Sequence, residues 1–391
     1  PDPQWMDALW YASEAPATRE IDAMTRMLAI SRNSDISLDA AFDMLPIAQQ
    51  LEVDLNHLKG LVPQYTQWKR DSDLLDYEDL LEQAMLVPLP VKFLVLDEAQ
   101  DSSPMLWRCV SAWAHSPSCR KFVAAGDPFQ AIHLWSGASP EVFQNQTGEW
   151  VRLKKSHRLT DQAAQYAKQV LASGGWGDVL SFWSGGASGE ETDGTTAYLA
   201  RTHSLTAHFE ADLQNSGTPY LTLRGYSPWS SKSGDAYRAL LKLEIEGFVD
   251  AGGVKEVVKH LPTGYVPSAL TAPLSRMQGP MPWPSDFTLT VQEAKRLLPN
   301  APYFNQVERQ YGPQGMFRQP KHFVGTIHAA KGKQWQDVYL ADSWAFLPAK
   351  KAALSDEGAR NEACVAFVGV SRHQRKLELV DGFPGYRYPF P

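Results

Sequence analysis

Cysteine is scarce in this sequence: Cys109, Cys119 and Cys364 are the only three among 391 residues. They form no CxxC pair and no His/Cys metal spacing, which sets aside a disulfide scaffold and a structural zinc site and makes a reduced, cytoplasmic setting the expectation. No run approaches a membrane span or a signal peptide, so no membrane partner is expected. HExxH and GxSxG are missing. So is GxxxxGK[ST]: Gly332-Lys333 is the only Gly-Lys pair, and Gln334 follows it where Ser or Thr is required. A phosphate-cradling loop needs successive glycines whose N–H groups converge on the phosphates, plus a lysine for the outer ones. Charge of one sign is not in great excess either. A net charge of −7 argues against a general nucleic-acid coat protein, but leaves room for strand contacts confined to a groove.

What is present suffices for two domains with proper cores, since 43% of the residues are hydrophobic. The most informative stretch is 91–138. Val91 to Leu96 is an apolar run ending in Asp97-Glu98-Ala99-Gln100-Asp101, and Phe122 to Ala125 is a second ending in Gly126-Asp127-Pro128-Phe129-Gln130. With a helix-length segment between them, they read as two buried, parallel strands of a βαβ unit. Their carboxyl-terminal ends then share the sheet edge where open α/β folds bind ligands. Carboxylates at such an edge suit a nucleotide triphosphatase. Asp97 would hold Mg²⁺, directly or through its waters. Glu98 could orient and deprotonate an attacking water, and Gln130 could sense the terminal phosphate. The alternative is an acidic turn that is merely solvated.

Residues 1–90 read as helical, with apolar residues at 38, 41, 42 and 45 and Ser37 placed to cap that helix. Asp76-Tyr77-Glu78-Asp79-Leu80-Leu81 reads as an acidic helix start favoured by the macrodipole; the family resemblance named below implies a direct DNA or nucleotide contact instead. Beyond 150 comes the basic run Val151-Arg152-Leu153-Lys154-Lys155-Ser156-His157-Arg158, then a helix from Asp161 to about Ala172 capped by Thr160. Thr195–Ala200, Ser204–Gln214 and Tyr220–Leu223 read as strand, helix and strand, with Arg201 at the strand end. Arg201 is expected there either in a structural salt bridge or, as the resemblance named below implies, near a nucleotide cleft. A helix is expected around 235–247, and the prolines between 262 and 302 predict short pieces and turns. Phe323–Ile327 and Val338–Ala341 read as strands about a Lys331-Gly332 turn, and Asn361–His373 as a helix leading into a strand at Leu377–Val380.

These stretches, DYEDLL at 76–81, DEAQD at 97–101, GDPFQAIHLWSGA at 126–138, the run ending in Arg158, TIHAAKGKQW at 326–335 and NEACVAFVGVSRH at 361–373, resemble in order the motifs of UvrD/Rep-type superfamily I DNA helicases. The resemblance runs from about 76 to about 380. It implies two RecA-like α/β domains of the P-loop NTPase type, the first incomplete, with a helical amino-terminal segment. On this reading 1–90 is the helical segment, 91–160 the first core, and 161–391 the second core with a reduced insertion at about 228–320. The amino-terminal part carrying the phosphate loop is expected to lie outside these residues.

The activity implied is ATP hydrolysis with Mg²⁺, coupled to 3′ to 5′ movement on single-stranded or partly duplex DNA. This chain alone is expected to hydrolyse little or nothing. The resemblance makes Glu98, Gln130, Arg158 and Arg372 catalytic, the two arginines converging on phosphates held by the other core. Asp97, Asp127, Arg201, Lys331, Gly332 and Gln334 would serve the nucleotide. Trp135, His133, Thr326 and His328 would serve the DNA, Trp135 by stacking on a base. Departures are His133 for tyrosine, Ser136 for arginine, and Gln334 for the glutamate that would hold the ribose. Two alternatives stay open: a non-catalytic DNA-binding or scaffold subunit derived from a helicase, or one half of a split enzyme whose partner supplies the phosphate loop.

Overall fold

The protein is described by a computed structural model covering residues 16–45, 47–87, 89–132, 134, 137–187, 194–265, 280–283, 288–341 and 356–380. It divides into two compact units, residues 1–151 and 152–391.

Unit 1 is mostly helical. Helices α1 (Pro16–Ser34), α2 (Leu38–Asp43), α3 (Ile47–Glu52), α4 (Leu55–Asp71) and α5 (Tyr77–Met85) precede strand β1 (Phe93–Leu96). Ser37 caps α2 as its position predicts, its side chain accepting from Ala40 N, and Asp54 does the same for α4 through His57 N. The apolar faces of α1, α2 and α4 meet in a core of Met24, Met27, Ile30, Ala41, Leu45 and Leu58. Against it sits an ion network with no signature in the spacing. Lys69, nearly buried, bridges Asp76 and Asp79, while Arg32 Nη2 donates to Asp79 Oδ1 at 2.7 Å and Tyr65 Oη to Asp76 Oδ1 at 2.8 Å. Burial pushes the Asp79 carboxyl up. The hydrogen bonds from Lys69, the Asp76 amide and Arg32 overcome that and hold it at about 2.

Strand β1 runs parallel to β2 (Lys121–Ala124), Phe93 opposite Lys121 and Leu96 opposite Ala124, with helix α6 (Pro104–Ala114) as the crossover. Both strands were expected to be buried, and this is corrected. One face packs Leu96, Phe122 and Ala124 on Ala99, Trp107 and Phe143, the last from α7 (Pro140–Gln144). The other face leaves Phe93 69%, Val95 68% and Val123 43% exposed. With only two strands among the described residues, alternate side chains face opposite ways and one set finds no cover.

In unit 2, α8 (Asp161–Leu171) is capped by Thr160 through Ala163 N, as expected. Five parallel strands follow in the order β4-β7-β3-β8-β9: β3 (Thr196–Ala200), β4 (Tyr220–Thr222), β7 (His322–Thr326), β8 (Trp335–Ala341) and β9 (His373–Val380). β3 is nearly all buried, as suits a parallel strand covered on both faces. Helix α9 (His203–Asn215) joins β3 to β4, and α10 (Lys232–Glu246) follows. A two-residue pairing of β5 (Val249–Asp250) with β6 (Pro280–Met281), and helices α11 (Ala251–His260), α12 (Val291–Leu297) and α13 (Ala301–Tyr311), complete the inserted region.

That region is less broken than its prolines predict, because Pro302 lies in the first turn of α13, where an N–H is not needed. It also shares one core with the sheet: Tyr237, Leu240, Val254, Phe304 and Val307 cluster with Ala200, Phe209, Tyr220 and Val324. Two boundaries shift. β7 stops at Thr326 because that residue caps α14 (Ile327–Ala330), and helix α15 (Asp356–Val370) ends before His373, which opens β9. Among the described residues no helix is long and apolar enough to cross a membrane.

Candidate functional site

In unit 1 the parallel pairing of β1 and β2 brings DEAQD and GDPFQ to one sheet edge. The main chain joins them, Ala125 N donating to Leu96 O and Ala99 N to Ala125 O. Asp97 is exposed, its Oδ1 accepting from Glu98 N at 2.9 Å. Glu98 has a left-handed backbone (φ 50°, ψ 39°), unfavourable by about 1–2 kcal/mol for a residue with a Cβ. The strain is held at backbone and side chain alike: Asp101 N donates to Glu98 O at 2.9 Å, and Gln100 Nε2 to Glu98 Oε2 at 2.6 Å. Such strain persists only where the surroundings over-determine it, and it concentrates at functional positions.

Gln100 is the residue of this edge that the sequence reading missed. It is fully buried; its Oε1 accepts from Asp127 N at 2.9 Å while its Nε2 serves Glu98 and, at 3.4 Å, Asp101. One amide side chain therefore fixes both strand ends. Gly126 makes room for it, since a Cβ there would lie 2.4 Å from Gln100 Oε1. The available signal was an uncharged polar residue inside an otherwise acidic turn. Asp127 starts the helical turn Pro128–Gln130, its Oδ1 accepting from Phe129 N at 3.0 Å and its Oδ2 from Gln130 Nε2 at 2.8 Å. Asp97, Glu98, Asp127 and Gln130 are thus gathered at one edge. His133, Trp135 and Ser136 lie outside the described residues.

A hard divalent ion takes oxygen ligands, and an exposed carboxylate at a strand end is a fitting donor. Among the described residues no group of three or more His, Cys, Asp or Glu could hold a metal by itself. An ion on Asp97 would draw most of its ligands from phosphate and water.

Unit 2 carries the remaining candidates. Arg158 is half-buried beside the buried Leu159, its backbone N donating to Ser156 Oγ at 3.3 Å. Arg201, just past β3, makes a two-pronged bridge to Glu362 on α15, at 3.0 and 2.7 Å. The Glu362 hydrogen bonds raise its pKa against the opposing effect of burial. Of the two roles open to Arg201, the salt bridge is present in the structure. Thr326, buried, caps α14 through Ala329 N, and His328 sits half-buried on that one-turn helix. Lys331 closes the helix, Gly332 takes the left-handed φ of 75° that glycine tolerates, and Gln334 is exposed.

Arg372, 1% exposed, folds onto its own turn and onto this loop. Its Nε donates to Val368 O at 2.9 Å, Nη2 to Ser371 Oγ at 2.9 Å and Nη1 to Lys333 O at 3.3 Å. The structure thus brings Arg372 together with the Lys331–Gln334 turn. Glu362 was not anticipated as the partner of Arg201.

With this geometry in place, residues 38–150 match the family model described as UvrD/REP helicase N-terminal domain, and through that segment the chain is similar to UvrD-like helicases. Among individual relatives, the ATP-dependent DNA helicases UvrD2 of Mycobacterium bovis and of Mycobacterium tuberculosis are each 27% identical over 140 residues. That similarity covers 31% of this chain and 20% of the relatives' length, so the matched stretch spans about a fifth of them.

Proposed function

We propose that this chain is part of an ATP-dependent DNA helicase or translocase of UvrD type, hydrolysing ATP to drive 3′ to 5′ movement on single-stranded DNA. The observation that carries the reading is the Gln100 bridge, which holds the DEAQD carboxylates against the GDPFQ glutamine turn at a single sheet edge. In this reading Asp97 binds Mg²⁺, which when bound offsets phosphate charge. Glu98 accepts the proton of the attacking water, Asp127 sets Gln130, and Gln130 reads the terminal phosphate. Arg158 and Arg372 stabilise charge on the transferring phosphoryl group. Lys331, Gly332 and Gln334 serve the nucleotide, and Trp135, His133, Thr326 and His328 serve the strand. Since the 391 residues contain no GxxxxGK[ST], turnover requires a phosphate loop from further polypeptide, whether continuous with this chain or a separate partner.

The test joins equilibrium binding of oligothymidylate to an ATPase assay with and without that strand, on this chain and on Glu98→Gln. Strand binding with at most background turnover is expected for both. Failure to bind any single-stranded DNA would overturn the reading, and strand-stimulated turnover that survives Glu98→Gln would remove Glu98 from its role.

A further inference from the structure

A second surface of unit 2 has the chemistry of a nucleic-acid contact, and it is built from side chains of the run ending in Arg158 and of residues 182–186 that carry no role in the proposed function. Residues 152–157 run extended beside 182–186, tied by Ser184 N to Lys154 O at 3.0 Å and Ser156 N to Ser184 O at 2.8 Å. Two glycines make the close approach possible. A Cβ on Gly185 would lie 2.2 Å from the Thr160 carbonyl carbon, and one on Gly186 would lie 1.9 Å from Lys155 Cε, whose stem lies across it.

The paired segments present Arg152, Lys154, Lys155 and His157, all exposed, with no Asp or Glu between 150 and 160 or between 179 and 187. Among the described residues no carboxylate forms an ion pair with Arg152, Lys154 or Lys155. Arg152 lies 5.5 Å over the ring of Phe182, which remains 37% exposed. The next residue, Trp183, packs on Leu159, Ala163 and Ala164 and lies tilted against Phe367 at 6.3 Å.

A basic run alone is commonly just a solvated face. Two features here point further. The run is held flat by a second segment, and that segment contributes an aromatic ring beside the cations in a chain whose overall charge is −7. A positive track with an accessible aromatic is how single strands are bound without regard to sequence.

We propose that Arg152, Lys154, Lys155 and Phe182 form an auxiliary single-strand contact, the cations taking phosphates and Phe182 stacking on a base. This inference rests on the helicase reading for its choice of nucleic acid, and the experiment separates the two.

Binding of a fluorescein-labelled oligothymidylate of about 12 nucleotides is followed by anisotropy, without nucleotide, over a range of salt. The proteins are the wild-type chain, the Arg152→Gln/Lys154→Gln/Lys155→Gln triple variant, Phe182→Ala and Phe182→Trp. All four positions are exposed, so folding is not at risk, and matched thermal unfolding checks this. Losing three phosphate contacts should flatten the slope of log K against log salt by about two. Phe182→Ala should weaken binding roughly tenfold, and Phe182→Trp should restore it.

If the wild type binds and either the triple variant or Phe182→Ala is indistinguishable from it, this proposal falls and the helicase reading stands. If the wild type does not bind the strand, both fall. Tighter binding to phosphatidylserine vesicles than to the oligonucleotide would also overturn the proposal, because a lipid surface would then be the better ligand.

Discussion

Replacing Gln100 by methionine keeps the volume and removes both halves of its amide. Asp127 N then loses its acceptor at 2.9 Å, and the Glu98 carboxylate loses a donor at 2.6 Å. A part-buried N–H left without a partner costs about 1–3 kcal/mol, while Glu98 is exposed and regains water, so a net loss of about 2 kcal/mol is the working figure. At a factor of ten per ~1.4 kcal/mol, the Asp127 amide should exchange with solvent roughly thirtyfold faster. Hydrogen-exchange mass spectrometry of peptides covering 97–101 and 126–130 reads this locally, without averaging over the two units. Gln100→Glu adds a second arm: it keeps an acceptor for Asp127 N but turns a carboxylate toward Glu98 and Asp101. Its deficit should therefore be largest at neutral pH and shrink as the introduced carboxyl is protonated. Unchanged exchange in Gln100→Met would refute the claim that this side chain unites the two strand ends.

Gly126→Ala should reproduce the same local loosening, since its Cβ would press to 2.4 Å from Gln100 Oε1 and 3.1 Å from Ala99 N; the same peptides report it. Asp79 has a folded pKa of about 2 against an ordinary 3.8, so the stability it lends is complete above about pH 4 and disappears as pH falls through 2. Acid titration of α1, α4 and α5 by circular dichroism should show that loss, and Lys69→Met should diminish it. Burial lowers the pKa of His322 and, against a hydrogen bond to Val370 O, of His373, so both favour the neutral form when folded. Their contribution is present above the ordinary value of 6.5 and is lost as pH drops below it; His322→Gln should flatten the urea-midpoint profile over that window. Lys295, 2% exposed, bridges Glu244 at 2.8 Å and Glu308 at 2.7 Å, and Lys295→Met should cost unit 2 about 3 kcal/mol by stranding two carboxylates, seen as an earlier urea transition.

Much was legible because it is local. Ser37 and Thr160 cap the helices they precede since a hydroxyl one residue before a helix meets the amides of its first turn whatever the rest of the chain does. The two apolar runs ending in acidic turns, with a helix length between them, similarly oblige parallel strands and a common edge. The turn at Lys331-Gly332 follows from glycine's freedom at positive φ.

Tertiary structure alone decided the rest. Arg201 meets Glu362 across 161 positions, and Lys295 finds Glu244 51 positions away, distances at which no periodicity carries information. Gln100 became the hinge-pin of the edge only because two strand ends arrived on either side of it, and Glu98 was pressed into a left-handed backbone by that arrangement. The exposure of Phe93 and Val95 likewise reflects how many strands and helices surround β1, not the residues of β1 themselves. Chain-local stereochemistry names the groups at an edge; which of them hold one another is set by whatever the fold places within a hydrogen bond's reach.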